Sequence, residues 1–441
     1  MVCGTAILAA PRRLAPIPLL AGCCYMTIGQ VLEIGPFDFP LFRILLGLGF
    51  IRVILRKEHI AGSFNTIDKL IVAWAAWVVV ASFFHKFQPG SGPIFALGTI
   101  YNVLLIYFLM RIWCRNEEEL EIMVGAIAVL LVPVAISMWI EKITLHNPFA
   151  VFGGVLETPM IREGRVRAQG PFAHPILAGT VGATCFPLML AIWQHQRVKA
   201  LVGCAACMAM VLASASSGPL MSLFMGIGAL SLWKYRKLTR FAIPCMVLAY
   251  IGLSLVMSRP PYYILNYIDL TGGSTGWHRA NLIENFITHF SEWWKFGTDR
   301  TKHWMPNANG PTPDHTDITN FYISIGILGG LLALLLFVAM LARAFSWVGT
   351  IAGVRGGEPN MNAFVAWCLG AALFAHAGTS ISVAYFDQSV IFIWATLSVI
   401  SSLHSITVAN AAQEAPRPDK RPARKPGMPV RTYGRPRVIS S

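Results

Sequence analysis

Two polar stretches of this 441-residue chain hold most of the side chains that could do chemistry. The first, about 141–172 and the residues just after it, carries Arg162, Arg165, Arg167 and the pair His174-Pro175. The second, about 259–316, carries Trp277-His278-Arg279 and runs out in Asp314-His315-Thr316-Asp317. Arginine stays charged, and its planar fork grips a phosphate bidentately, so Arg167 and Arg279 are the expected clamp on an anionic substrate. Histidine titrates near neutrality, which makes His315 the candidate proton acceptor; Asp314 or Asp317 can orient its ring and raise its basicity. His174, at a helix entry, reads as a cap or as a lining residue. Arg165, Trp277 and Asp317 are the further candidates for holding substrate. His278, His289 and His303 are expected at the loop surface. No His-x-x-x-His spacing or cysteine falls in these stretches, so no metal site is expected.

The elements that must position these residues follow from composition. Hydrophobic residues make up 55% of the chain, charged residues only 13%, and the mean hydropathy is +0.58. A disordered chain, a collagen-like fibre and a water-soluble globule are excluded. A bilayer core needs about 20 apolar residues per helical span, and the sequence repeats that unit about a dozen times. Helices are predicted near 14–29, 40–55, 68–84, 93–111, 121–140, 173–193, 199–214, 218–233, 240–258, 317–343, 361–384 and 387–407. The expected fold is an all-α polytopic membrane protein with about 12 transmembrane helices. A long extracytoplasmic loop falls between the ninth and tenth.

The net charge of +14 suggests nucleic acid until the basic residues are placed. Most of the 35 Lys and Arg fall in alternate connections, which is the positive-inside bias and puts both termini in the cytoplasm. Both reactive stretches then share the outer side, and no nucleic-acid partner is expected. Residues 1–412 form the membrane domain. Residues 413–441 form a basic Pro/Arg-rich tail, expected to be disordered against anionic lipid headgroups. None of the nine cysteines lies in the outer stretches, so there is no disulfide framework; Cys204-x-x-Cys207 reads as helix packing. Ser214-Ala215-Ser216-Ser217-Gly218 reads as a short outer turn. Gly326, Gly329 and Gly330 suit close packing.

These residues resemble the O-antigen ligase/polymerase superfamily of integral membrane transferases. The ligase pattern is His, Asn/Ser/Gln, nine residues, Gly, two residues, then Gly/Thr/Tyr. Here His315-Thr316, residues 317–325 and Gly326-Ile327-Leu328-Gly329 keep that spacing, with Thr316 departing at the second position. Arg167-Ala168-Gln169-Gly170-Pro171-Phe172-Ala173-His174-Pro175-Ile176-Leu177-Ala178 is similar to the family's Arg…Gly-x-Phe…Pro-Asn-x-x-Ala stretch, with Ile176 in place of Asn. Trp277 through Gly297 resembles its Arg-containing segment ending in a Gly turn. The resemblance covers roughly 150–345. It implies a glycan donor carried on undecaprenyl diphosphate at the outer face of a bacterial inner membrane. The acceptor would be a lipid anchor in a ligase, or another lipid-linked repeat unit in a surface-polysaccharide polymerase. Transfer would invert the anomeric centre without metal or cofactor, with Arg167 and Arg279 on the diphosphate and His315 as base. The alternative is a non-catalytic flippase or exporter of the same lipids. Transporters, however, place their sites near the bilayer midplane within paired repeats, and no internal repeat is visible.

Overall fold

The computed structural model describes residues 2–34, 37–85, 91–267, 276–305, 316–354 and 363–414. The candidate base His315, its neighbour Asp314 and the tail from 415 onward lie outside the described residues.

Helices α1 (Val2–Ala9) and α2 (Pro16–Tyr25) lead into a hairpin of β1 (Val31–Ile34) and β2 (Phe37–Pro40), paired Val31 to Pro40. Then come α3 (Leu41–Arg56), α4 (Thr66–Ser82), α5 (Ser91–Trp113) and α6 (Glu117–Thr144). A second hairpin, β3 (Met160–Arg162) and β4 (Arg165–Arg167), precedes α7 (Pro175–Ala191), α8 (Arg197–Ser214), α9 (Ser217–Ser231) and α10 (Ala242–Val256). Short helices α11 (Gly276–Thr288) and α12 (Phe290–Trp293) stand before α13 (Phe321–Ile351), α14 (Ala363–Thr379) and α15 (Val390–Glu414).

Every apolar run expected to be helical is a helix. Six stretches among the described residues are long and apolar enough to cross a membrane: Gly92–Trp113, Glu117–Thr144, Arg197–Ser214, Ser217–Val256, Phe321–Ile351 and Val390–Ala409. The chain is therefore a mostly helical protein of membrane type. Asparagine starts three of the helices by accepting orphan backbone N–H groups: Asn65 at α4, Asn116 at α6 and Asn320 at α13. The expected break between the eighth and ninth predicted helices is not a clean loop. Leu232–Phe241 winds as 3-10 turns, so α9 and α10 run on as one stretch. Arg236 lies over the Trp233 ring at 4.3 Å and donates to the Ala352 carbonyl, fixing that join.

The glycines expected to pack closely do so where α13 is broken. Gly330 is left-handed at φ +72°, and a Cβ there would stand 2.6 Å from the Lys295 carbonyl oxygen. The released Gly329 carbonyl accepts the Trp77 indole N–H at 2.7 Å, so the break leaves it satisfied. Thr298 N donates to Ile327 O and Leu331 N to Trp294 O, both at 2.9 Å, which splices the segment after α12 into the break. At Gly326 a Cβ would meet the Phe286 ring at 2.8 Å. These contacts dock α11 and α12 against the first half of α13.

Candidate anion-binding site

The site begins with the second hairpin. Glu163 and Gly164 both have positive φ, 50° and 71°, the two-residue turn that matches strand twist. The pairing sets Arg162 opposite Arg165 and Met160 opposite Arg167. Beyond Arg167 the chain turns inward, and Ala168 through Phe172 are buried. A buried irregular segment must find partners for its backbone. Glu141, near the end of α6, accepts from Gln169 N at 3.1 Å and Gly170 N at 2.8 Å. Asn147 donates to Gly170 O, Gln388 donates to Pro171 O, and Asp387 accepts from Ala173 N at 2.9 Å. Burial raises the Asp387 carboxyl above its ordinary range.

Arg167 emerges from this clamp almost fully buried, with Nη2 donating to Ser216 Oγ at 2.8 Å. Ser216 in turn donates to Ser214 O, so the expected turn exists and serves as the arginine's anchor. Arg279 enters from the first turn of α11, half-buried. The Nε atoms of both Arg167 and Arg279 are buried with no hydrogen-bond partner. Burial lowers the pKa of each below the usual arginine value; Arg162 and Arg279 add to the effect at Arg167, and Arg162 adds at Arg279. Among the described residues no ion pair involves Arg162, Arg165, Arg167 or Arg279. Two arginines from segments more than a hundred residues apart thus lie near enough for the charge of Arg279 to act on Arg167, and neither has an ion-pair partner among the described residues.

His174 is a cap: its Nδ1 accepts from Ile176 N at 3.1 Å, which puts the ring proton on Nε2. Burial, with Arg167 nearby, pushes its pKa down to about 4, so it stays neutral at physiological pH. His278 overturns the expectation of a surface residue. Only 7% exposed, it has an unpartnered Nε2. Burial lowers its pKa, opposed by Asp317 and aided by Arg279. Asp317 is itself exposed, as is Trp277. Arg165 is exposed too, and its charge acts on Lys142. Thr316 is buried, accepting from Met305 N and donating to Lys302 O, so its departure from the ligase pattern has a structural use.

The sequence reading missed Glu141, Gln169, Ser216, His278, Asp387 and Gln388. Glu141 stands at the first position of the polar stretch, directly before Lys142, with no local signal that joins it to Gln169 and Gly170. Gln169 carried none, yet both polar atoms of its amide are buried and unpartnered, two residues along the chain from Arg167. An unpaired buried charge is disfavoured by several kcal/mol, and an incoming anion with oxygen acceptors removes that penalty. Searches against protein-family models and against curated proteins return no match to the chain.

Proposed function

We propose that the chain is a membrane glycosyltransferase that moves a glycan from undecaprenyl diphosphate to an acceptor hydroxyl at the outer face of a bacterial inner membrane, as an O-antigen ligase or a polysaccharide polymerase. One observation carries this reading: buried Arg167 and half-buried Arg279, each with a buried, unpartnered Nε and no ion pair among the described residues, drawn from the two segments that bear the family-like motifs. A diphosphate matches two forked cations better than a single carboxylate would. On this reading the acceptor oxygen attacks the anomeric carbon as the bond to the diphosphate oxygen breaks, and the electron pair leaves with undecaprenyl diphosphate. Arg167 and Arg279 stabilise the charge that grows there. His315 takes the acceptor proton. Gln169 and His278, each with unpartnered polar atoms, are available to sugar hydroxyls. Direct displacement inverts the sugar centre. Both termini then face the cytoplasm, and the tail rests on anionic lipid.

The test incubates purified protein with its lipid-linked repeat unit and sizes the glycans. Chain growth on the repeat unit alone identifies a polymerase; transfer only after a lipid acceptor is added identifies a ligase. Neither product, together with movement of the donor across vesicles, supports the exporter instead. Arg279→Lys keeps the charge and loses the fork, and turnover should fall about a hundredfold or more. Wild-type turnover in that variant would sink the bidentate clamp.

A further inference from the structure

Histidine spacing along the chain conceals a cluster that exists only in the fold. His289 follows α11, Glu292 belongs to α12, and His303 lies in the 3-10 turn Lys302–Trp304. One ligand atom from each lies within 4.8 Å of the other two. His303 Nε2 stands 3.1 Å from Glu292 Oε2. His289 Nδ1 is 2.8 Å from the Asn285 carbonyl oxygen, which can only accept; the ring proton is therefore on Nδ1, and the Nε2 lone pair is left for a ligand bond. Trp304 donates its indole N–H to Glu292 Oε2 at 3.1 Å and stacks on the His289 ring at 5.5 Å. Ligands held in this way by a backbone carbonyl and an indole are what metal sites use to fix ring orientation.

We propose that His289, Glu292 and His303 bind a divalent ion of the zinc class, with water completing the coordination. Two imidazoles and one carboxylate suit zinc better than magnesium or calcium, which prefer oxygen donors throughout. The ion is a staple rather than a reactant. It ties α11 and α12 to the turn at 302–304, and the neighbouring Lys302 carbonyl and Met305 amide hold Thr316 at the approach to α13. His289 lies about 15 Å along the helical path from Arg279, so the ion does not share the arginine site.

The test uses the full chain in detergent, stripped with EDTA, incubated with zinc chloride and desalted. Wild type should retain about one zinc per chain and melt at a higher temperature, both effects reversed by EDTA. His289→Ala and His303→Ala should each lose the retained zinc while eluting as wild type on gel filtration; the His303 side chain is half-exposed, so its removal spares the fold. Trp304→Phe, which removes only the indole N–H, should weaken binding about tenfold. Wild type that keeps no zinc overturns the proposal, as do both histidine variants retaining as much as wild type. Either result leaves the diphosphate reading untouched, because Arg167 and Arg279 are intact in every variant.

Discussion

Glu119 and Glu141 sit near opposite ends of α6, about 33 Å apart at 1.5 Å per residue, and the arginines around them are handled differently. Around Glu119 the two fully buried arginines, Arg52 and Arg111, each have a carboxylate, and so does the half-buried Arg12. Arg12 meets Glu119 at 2.5 Å, Arg52 meets Glu58 at 2.8 Å, and Arg111 meets Asp68 at 3.2 Å. Remaining guanidinium protons go to backbone carbonyls, as Arg52 does to Ile7 and Ala10 and Arg111 does to Ala61. These residues read from the sequence as topology charges, and the fold makes them structural pins as well. Around Glu141 the carboxylate is spent on backbone amides instead, and buried Arg167 and half-buried Arg279 have no ion pair among the described residues. The difference teaches where to look for function: an arginine with its own carboxylate is complete, whereas Arg167 and Arg279, each with a buried Nε that has no partner among the described residues, can still take an anion.

The largest effect should come from breaking a complete pair. Asp68→Asn leaves Arg111 charged and buried, and should lower stability by about 3–5 kcal/mol, measured as lost melting temperature. Arg167→Met should leave the melting temperature level or raise it, since it deletes a charge that has no carboxylate to lose. Equal losses in the two variants would erase the contrast between the two ends.

Acid should act next, through His174. Its folded pKa of about 4 lies below the ordinary 6.5 of the unfolded chain, so between those values only the unfolded form takes the proton. Stability from this group is complete above pH 6.5 and drains as pH falls toward 4, by up to about 3 kcal/mol. His174→Asn keeps a good N-cap and cannot titrate, so its melting temperature should fall less steeply over that window. An unchanged slope would remove His174 from the account. The smallest effect belongs to Ser216→Ala, which deletes the hydroxyl anchoring Arg167. A loss of about 1 kcal/mol in arginine placement should appear as a several-fold drop in kcat/KM, carried by kcat because Arg167 acts on the charge that grows as the bond breaks.

The helices were legible because twenty-residue apolar runs have few alternatives in a chain so poor in charge. The short first helix, both hairpins and the wound join at Leu232–Phe241 were not, since each is decided by local turns or by docking rather than by hydropathy. Within the site, Arg167 and Arg279 stood out as cations in stretches expected on the outer side, where the positive-inside bias disfavours them. Ser216, Glu141 and Asp387 could not be joined to them, because hydrogen bonds spanning 28 to 214 positions leave no local pattern. His289, Glu292 and His303 escaped for the same reason. Their spacing means nothing until α12 and the 302–304 turn are brought together.

The break in α13 also sets an angular phase. Each helical residue turns the chain by about 100°, so Gly326 and Gly330 meet the splice only if the helix starts where Asn320 starts it. One residue inserted between Asn320 and Gly326 would swing the notch a quarter-turn away from the Trp294 and Lys295 carbonyls and present a bulky side chain to Phe286. The interval from Thr316 to these glycines, which reads as a chemical motif along the chain, is a clocking constraint as well: it keys the orientation of everything carried on α11 to the rotation of α13.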